Sequence, residues 1–212
     1  EAACEAAQTW DSPWGEGRPG WHVECSAMSM THLEETLDIH VGGQDLVFPH
    51  HENEVAQSEA ATGQQFANYW LHVGLLETGE EKMSSSLGNF ATVEEAIAEH
   101  GLGVVRTFLL STAYHSRAIY TEETVAEARE RYETLERGYE RAVEAADNVD
   151  ATAKATDDAL REAVETAREA IPRAMNDDFN TRETLAALIE LTGAVNRHVD
   201  EYGTYDYRGL RR

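Results

Sequence analysis

Three residues of different chemical character stand at a spacing that suits one metal ion. Cys25 is followed by His50, and Glu54 comes four positions after the histidine. On a helix opening near Pro49, positions 50 and 54 are i and i+4 and project from one face. A thiolate, an imidazole and a carboxylate together form a mixed zinc donor set. Zinc accepts four ligands, so the remaining position falls to water, to a substrate or to a further residue. The same residues also have a plainer use. A cysteine within WHVECSAM serves as a small buried hydrophobe, and His50 and His51 serve to cap or hydrogen-bond a helix end. Spacing alone leaves both readings open. Cys4, in a helical ACEAA run, reads simply as buried.

A second group of residues suits phosphate chemistry. EEKMSSSLGNF, residues 80–90, sets Lys82 before the hydroxyls of Ser84, Ser85 and Ser86 and a glycine, and a helical run follows. A cation with several O–H and N–H donors on a loop grips a polyphosphate; a polar surface turn has the same composition. In DIHVGGQD the glycine pair Gly42 and Gly43 follows an expected strand, where backbone can approach a nucleotide closely. Asp45 is placed to accept ribose hydroxyls.

Two kinds of segment must position these groups. Residues 1 to about 117 hold eleven of the fifteen glycines, three of the four prolines and all four tryptophans. Short apolar runs there, Leu37 to Gly43, Asp45 to His51 and Tyr69 to Leu76, read as buried strands, and HENEVAQSEAAT between them reads as a helix. Pro49 suits that helix's first turn, with Glu52 and Glu54 near its positive end. The alternation predicts an α/β domain over 1–118. From Thr121 the pattern becomes helical. Val125, Ala128, Tyr132, Leu135, Tyr139 and Val143 recur at three- and four-residue spacing, and Thr121 opens the run as a capping residue. That stripe reads as core. After a polar stretch, DALREAVETAREAIPRAM and TRETLAALIELTGAVNRHVDEY give two more helices, the second capped from NDDFN. An all-α bundle over 119–212 is the expectation.

Charge and cysteine use bound the setting. Forty acidic residues oppose seventeen basic ones, a net charge of -23, and fifteen of the seventeen are arginines. Such a surface repels nucleic acid at ordinary salt. In a salt-saturated cytoplasm, where screening removes self-repulsion, it is a solubility device and says nothing against an RNA partner. Two cysteines are too few for a disulfide scaffold and point to a reducing cytoplasm. No apolar run approaches the ~20 residues of a membrane span. The sequence opens without an initiator methionine or the charged and apolar parts of a signal peptide, and reads as the interior of a longer protein.

SPWGEGRPGWHVECSAMS, DIHVGGQDLVFPHHENEVAQSEA, YWLHVGLL, EKMSSSLGNF and MNDDFNTRETLAALIELTGAVNR together resemble the cysteinyl-tRNA synthetases, in that family's order and spacing and over essentially the whole chain. The resemblance implies the later part of a class I, Rossmann-like catalytic domain followed by a helical domain on the anticodon side. It implies activation of L-cysteine by ATP, with Mg2+, and transfer to tRNA(Cys), in a cytoplasmic monomer without a membrane partner. Cys25, His50 and Glu54 match three zinc ligands. The fourth ligand, a cysteine, and the HIGH motif belong to a part of the family pattern that these residues do not include, so the chain alone is expected to be inactive. Trp21 matches the aromatic residue beside the substrate thiol pocket and His40 a nearby pocket histidine. Gly43 and Asp45 match positions around the adenosine, and Lys82 to Ser86 match the KMSKS loop, with Ser85 where the second lysine usually stands. The cysteine ligases of mycothiol synthesis share the zinc pocket but lack a full tRNA-binding helical domain; a non-catalytic zinc- or RNA-binding relic is the third reading. The arginines Arg129, Arg137, Arg141, Arg182 and Arg197 can meet tRNA phosphates or pair with neighbouring glutamates.

Overall fold

Alternating apolar segments and amphipathic helices settle into an α/β arrangement followed by an all-α bundle. The computed structural model describes residues 9–78, 81–82, 92–147 and 158–202. The chain divides into two compact units, Glu1–Val73 and Gly74–Arg212.

In the first unit, helix α1 (Trp21–His32) precedes strand β1 (Leu37–Gly43), helix α2 (Glu52–Thr62) and strand β2 (Ala67–Val73). β1 and β2 pair in parallel, with His40 opposite Trp70 and Gly42 opposite His72. This is a strand–helix–strand unit, the connection parallel strands require. Leu37, Phe66 and Ala67 form its apolar centre, with Val55 and Trp70 against them. The helices α1 and α2 each bury a serine, Ser26 and Ser58, and Ser26 hydrogen-bonds Gln57 of α2. Gly63 ends α2 in the left-handed conformation, as a glycine cap does.

One expectation fails here. Asp45 to His51 is not a strand. A tight 3-10 turn, Gln44–Leu46, leads into a turn over Val47–His51 that is kinked at the extended Phe48 and runs on into α2. The apolar Leu46, Val47 and Phe48 imitate a strand in composition, but Pro49 lacks a ladder donor, and the turn instead delivers two histidines to the start of the helix.

In the second unit β3 (Leu76–Thr78) lies between β4 (Glu81–Lys82), antiparallel to it, and β5 (Ala118–Ile119), parallel to it. Helices α3 (Val93–His100) and α4 (Leu102–Leu110) come before β5. Thr92 caps α3 in a reciprocal box: its hydroxyl accepts from the Glu95 N–H, and the Glu95 carboxylate accepts from the Thr92 N–H at 2.8 Å. Then follow α5 (Glu122–Asp147), α6 (Asp158–Asn176) and α7 (Thr181–Tyr202). Thr121 opens α5 through mutual bonds with Thr124, and Asn180 caps α7 by accepting from the Glu183 N–H.

Helix α5 has two cores. Its first half packs on α4 through Val104, Phe108, Val125 and Ala128, with Tyr132 over Gly103. Its second half packs on α6 and α7 around Ala145, Leu160, Val164, Ala194 and Val195. The expected stripe holds as far as Leu135 and then fails: Tyr139 and Val143 are exposed. Gly138, Ala142 and Ala145 take the inward positions instead, because the backbone approaches Thr192 of α7 so closely that any β-carbon at 138 would overlap its side chain. Among the described residues no helix is long and apolar enough to cross a membrane.

Candidate metal centre and substrate pocket

Helix α1, strand β1 and the start of α2 bring their polar side chains to one point. Cys25, His50 and Glu54 offer a sulfur, a nitrogen and an oxygen that all lie within 4.8 Å of one another; His40, His51 and Glu54 form a second such set. Glu54 is 1% exposed and belongs to both. His50 Nε2 lies 2.7 Å from Glu54 Oε1, and His40 Nε2 lies 2.7 Å from Glu54 Oε2. The imidazole N–H groups donate, since a carboxylate only accepts. His22 Nδ1 meets His50 Nδ1 at 2.7 Å. Both oxygens of a buried carboxylate are therefore fixed by histidines from different elements, and among the described residues no lysine or arginine pairs with it. Burying a carboxylate is costly unless protons or a cation neutralise it.

Burial pushes the Cys25 thiol above its usual range, and the Glu54 charge, a hydrogen bond to Glu54 and the Glu24 charge add to the shift. Soft sulfur, borderline nitrogen and hard oxygen from Cys25, His50 and Glu54 make a donor set that fits zinc.

A layer of aromatic rings supports this point. Trp70 meets the edge of His40 at 4.7 Å between ring centroids and tilts over His51 at 5.2 Å. Phe66 lies 5.5 Å from His40, and His72 accepts or donates to His51 Nδ1 at 2.8 Å. Burial pushes His51 below the usual histidine range; the Glu54 charge opposes this, and His40, His72 and His50 reinforce it. A β-carbon at Gly42 would fall 2.5 Å from His51 Cε1, so only glycine leaves that ring its place.

Trp21 is 60% exposed, with its ring 4.5 Å from His50. Of the residues singled out in the sequence, Trp21, Cys25, His40, His50 and Glu54 therefore form one continuous cluster. Gly43 ends β1, and the Asp45 carboxylate occupies the space a Gly43 side chain would need. Lys82 is placed as backbone in β4. Ser84, Ser85, Ser86 and Cys4 lie outside the described residues. Three supporting residues escaped sequence reasoning. His22 had a signal, lying three residues before Cys25 on the same helix face. Trp70 and His72 had none, since only the β1–β2 register sets them opposite His40 and Gly42.

The arginines separate by partner. Arg137 bonds Glu133 one turn away, Arg129 bonds His100, and Arg141 bonds Asn196 and Asp200.

The fold matches solved class I synthetases. A LeuRS–tRNA–LeuAMS ternary complex from Agrobacterium radiobacter K84 superposes with a TM-score of 0.67 at 16% identity, covering 91% of this chain and 29% of that one. Mycobacterium tuberculosis methionyl-tRNA synthetase with methionyl-adenylate gives 0.60 at 21% identity, covering 77% of this chain and 34% of that one. The chain belongs to the class I tRNA synthetases: residues 1–130 match the class I (C) catalytic domain family and residues 170–211 the DALR domain. Relatives named cysteine–tRNA ligase are 73% identical over 212 residues in Haloarcula marismortui, 65% over 206 in Halobacterium salinarum and 48% over 192 in Thermococcus onnurineus. These alignments cover 100%, 97% and 90% of this chain but only 43%, 42% and 40% of those proteins. The chain therefore spans about two-fifths of their length. Two of the three are halophile proteins, in keeping with the acidic composition.

Proposed function

We propose that this chain forms part of an enzyme that joins L-cysteine to tRNA(Cys), through ATP-dependent formation of cysteinyl-adenylate. The observation that carries the reading is the convergence of Cys25, His50 and Glu54 beside Trp21 and His40. In this reading the three residues hold zinc, with the remaining position completed from outside the chain or by substrate. Zinc when bound supplies a soft Lewis acid that accepts a thiolate and leaves a serine hydroxyl a poor ligand. Packing alone distinguishes two substrates differing by one atom by only ~1–3 kcal/mol. His40 and His22 hold Glu54 and His50 in place, and the exposed Trp21 ring lies against His50.

Gly43 lets backbone approach the adenosine, and Asp45 accepts from the ribose. Lys82, Ser84, Ser85 and Ser86 grip the triphosphate, with Mg2+, while the substrate carboxylate attacks the α-phosphate in line, so catalysis consists of positioning and charge stabilisation. Ser85 supplies a hydroxyl where relatives of this pattern carry a lysine; Ser85→Lys should lower the ATP requirement, and an unchanged requirement would remove Ser85 from the phosphate grip. The functional division falls near residue 118, with the helices after it on the tRNA side, and the enzyme acts as a cytoplasmic monomer.

The test is ATP–pyrophosphate exchange by the full-length gene product in molar KCl, comparing cysteine with serine. Cysteine-dependent exchange about 10³-fold above serine, more than packing provides, is the expected result. Equal exchange with both would refute selection by a thiol-binding metal, and no exchange would refute the activity.

A further inference from the structure

Asp178 and Phe179, at the corner between α6 and α7, have φ of 50° and 53°; they are the only non-glycine residues with positive φ among those described. Such backbone persists where neighbours over-determine it, and it marks a place worth reading for function. Besides backbone bonds within the corner itself, such as the Phe179 N–H to the Met175 carbonyl, its side-chain neighbours come from residues 110–115. The Tyr114 hydroxyl donates to Asp178 Oδ1 at 2.8 Å, and His115 Nε2 lies 3.6 Å from Asp178 Oδ2. The Tyr114 ring meets Phe179 edge-on at 6.3 Å, and the Thr181 hydroxyl donates to the Leu110 carbonyl at 2.8 Å. The bond to Asp178 also holds the Tyr114 phenol above its usual range.

The other side of the same segment holds the β3 strand. The Gly74 N–H donates to the Tyr114 carbonyl at 2.8 Å, and the Ala118 N–H donates to the Leu75 carbonyl at 3.0 Å. The Ser116 carbonyl fills the space a Gly74 side chain would need, and Arg117 pairs with Glu77 at 3.3 Å. β3 then pairs with β4, Glu77 opposite Lys82. An unbroken series of contacts thus runs from the bundle corner, through Tyr114, to the β3–β4 strand pair that contains Lys82.

We infer that Tyr114 is a positioning residue for ATP: seated on the Asp178–Phe179 corner, it sets the frame of the β3–β4 strands that present Lys82. The inference rests on the activity proposed above. Tyr114 belongs to the second unit and, in this reading, holds neither metal nor nucleotide. Its effect passes through the Gly74 backbone and the β3 ladder, so it should separate ATP use from cysteine use.

The experiment uses the full-length protein in molar KCl, with Tyr114→Phe and Asp178→Asn. The first removes only the donor hydroxyl; the second keeps an acceptor oxygen and tolerates the left-handed backbone. Tyr114→Phe should raise the KM for ATP about fivefold, the worth of one hydrogen bond, and leave the KM for cysteine and the zinc content unchanged. Amide hydrogen exchange in the peptide covering 74–82 should quicken in parallel. Asp178→Asn should stay within about twofold of wild type on every measure. A Tyr114→Phe protein with wild-type ATP KM and wild-type amide exchange overturns the inference, as does an equal rise in both KM values. If the wild-type protein shows no cysteine-dependent exchange, the activity proposal fails, and the amide-exchange measurement still decides the positioning role.

Discussion

The unit that holds the Cys25, His50 and Glu54 cluster and the helical bundle solve burial in different ways. Around β1 and α2 the apolar centre is small, Leu37, Phe66 and Ala67, and the space beside it is filled by buried His50, His51, Glu54, Ser26 and Ser58. Around α5, α6 and α7 the centre is Ala145, Leu160, Val164, Ala194 and Val195, His198 is its buried polar side chain among the described residues, and charged groups face outward in i,i+3 and i,i+4 pairs such as Arg168 with Glu165 and Arg137 with Glu133. Apolar packing is non-directional and tolerates exchange at equal volume. Buried hydrogen-bonded groups do not, because each lost partner leaves another group unsatisfied. The first region therefore keeps one geometry at high cost per error, and the second keeps a shape at low cost per error.

Substitutions can break or sharpen that contrast. The largest effect is expected at Cys25: Cys25→Ala removes one of three donors, and stoichiometric zinc, measured by elemental analysis after gel filtration, should be lost. Full retention would take Cys25 out of the donor set. Next, Gly42→Ala forces the His51 ring aside, and with it the supports around Glu54. Zinc should dissociate about 10–100-fold more readily, the usual consequence of losing an outer-sphere support, as read by competition with a chromogenic chelator. In the bundle, Gly138→Leu should cost about 1–3 kcal/mol by overpacking against Thr192, seen as a lower urea midpoint, and should leave zinc content untouched. A zinc loss there would contradict the separation drawn between the two regions.

The smallest effect is expected at the α3 cap. Bonds from the Thr92 N–H and hydroxyl hold the Glu95 carboxyl below its usual range. A carboxyl with a lowered folded pKa stabilises above its unfolded pKa, and that contribution is lost as pH falls through the lower folded value. Thr92→Ala should lower Tm slightly at neutral pH, and its gap from wild type should narrow in acid. A gap that widens in acid would show that the box is not acting through the carboxylate.

Legibility in the sequence follows the same contrast. The three bundle helices were readable because amphipathic spacing repeats over many turns. The error at Tyr139 and Val143 came from preferring large apolar residues, whereas close helix approach needed Gly138 and Ala142. The Cys25, His50 and Glu54 set was readable because two members are one helical turn apart. Its supports were not: His72 and Trp70 enter through strand register, and Glu54's link to His40 joins a helix to a strand across the intervening turns, where no single period runs. The turn at 44–51 misled because a helix start rich in Leu, Val and Phe shares its composition with a strand.

The β1–β2 pair carries a practical consequence. Parallel strands are ordinarily covered on both faces within larger sheets, yet Ile39, Val41 and Tyr69 are 59%, 54% and 71% exposed. Among the described residues β1 and β2 pair only with each other, so the 212-residue polypeptide would present that apolar surface and two strand edges to every other copy in the tube. Its colloidal behaviour would then depend on salt and concentration more than on the integrity of its helices, and clear solutions at low salt would owe more to forty carboxylates than to a finished sheet.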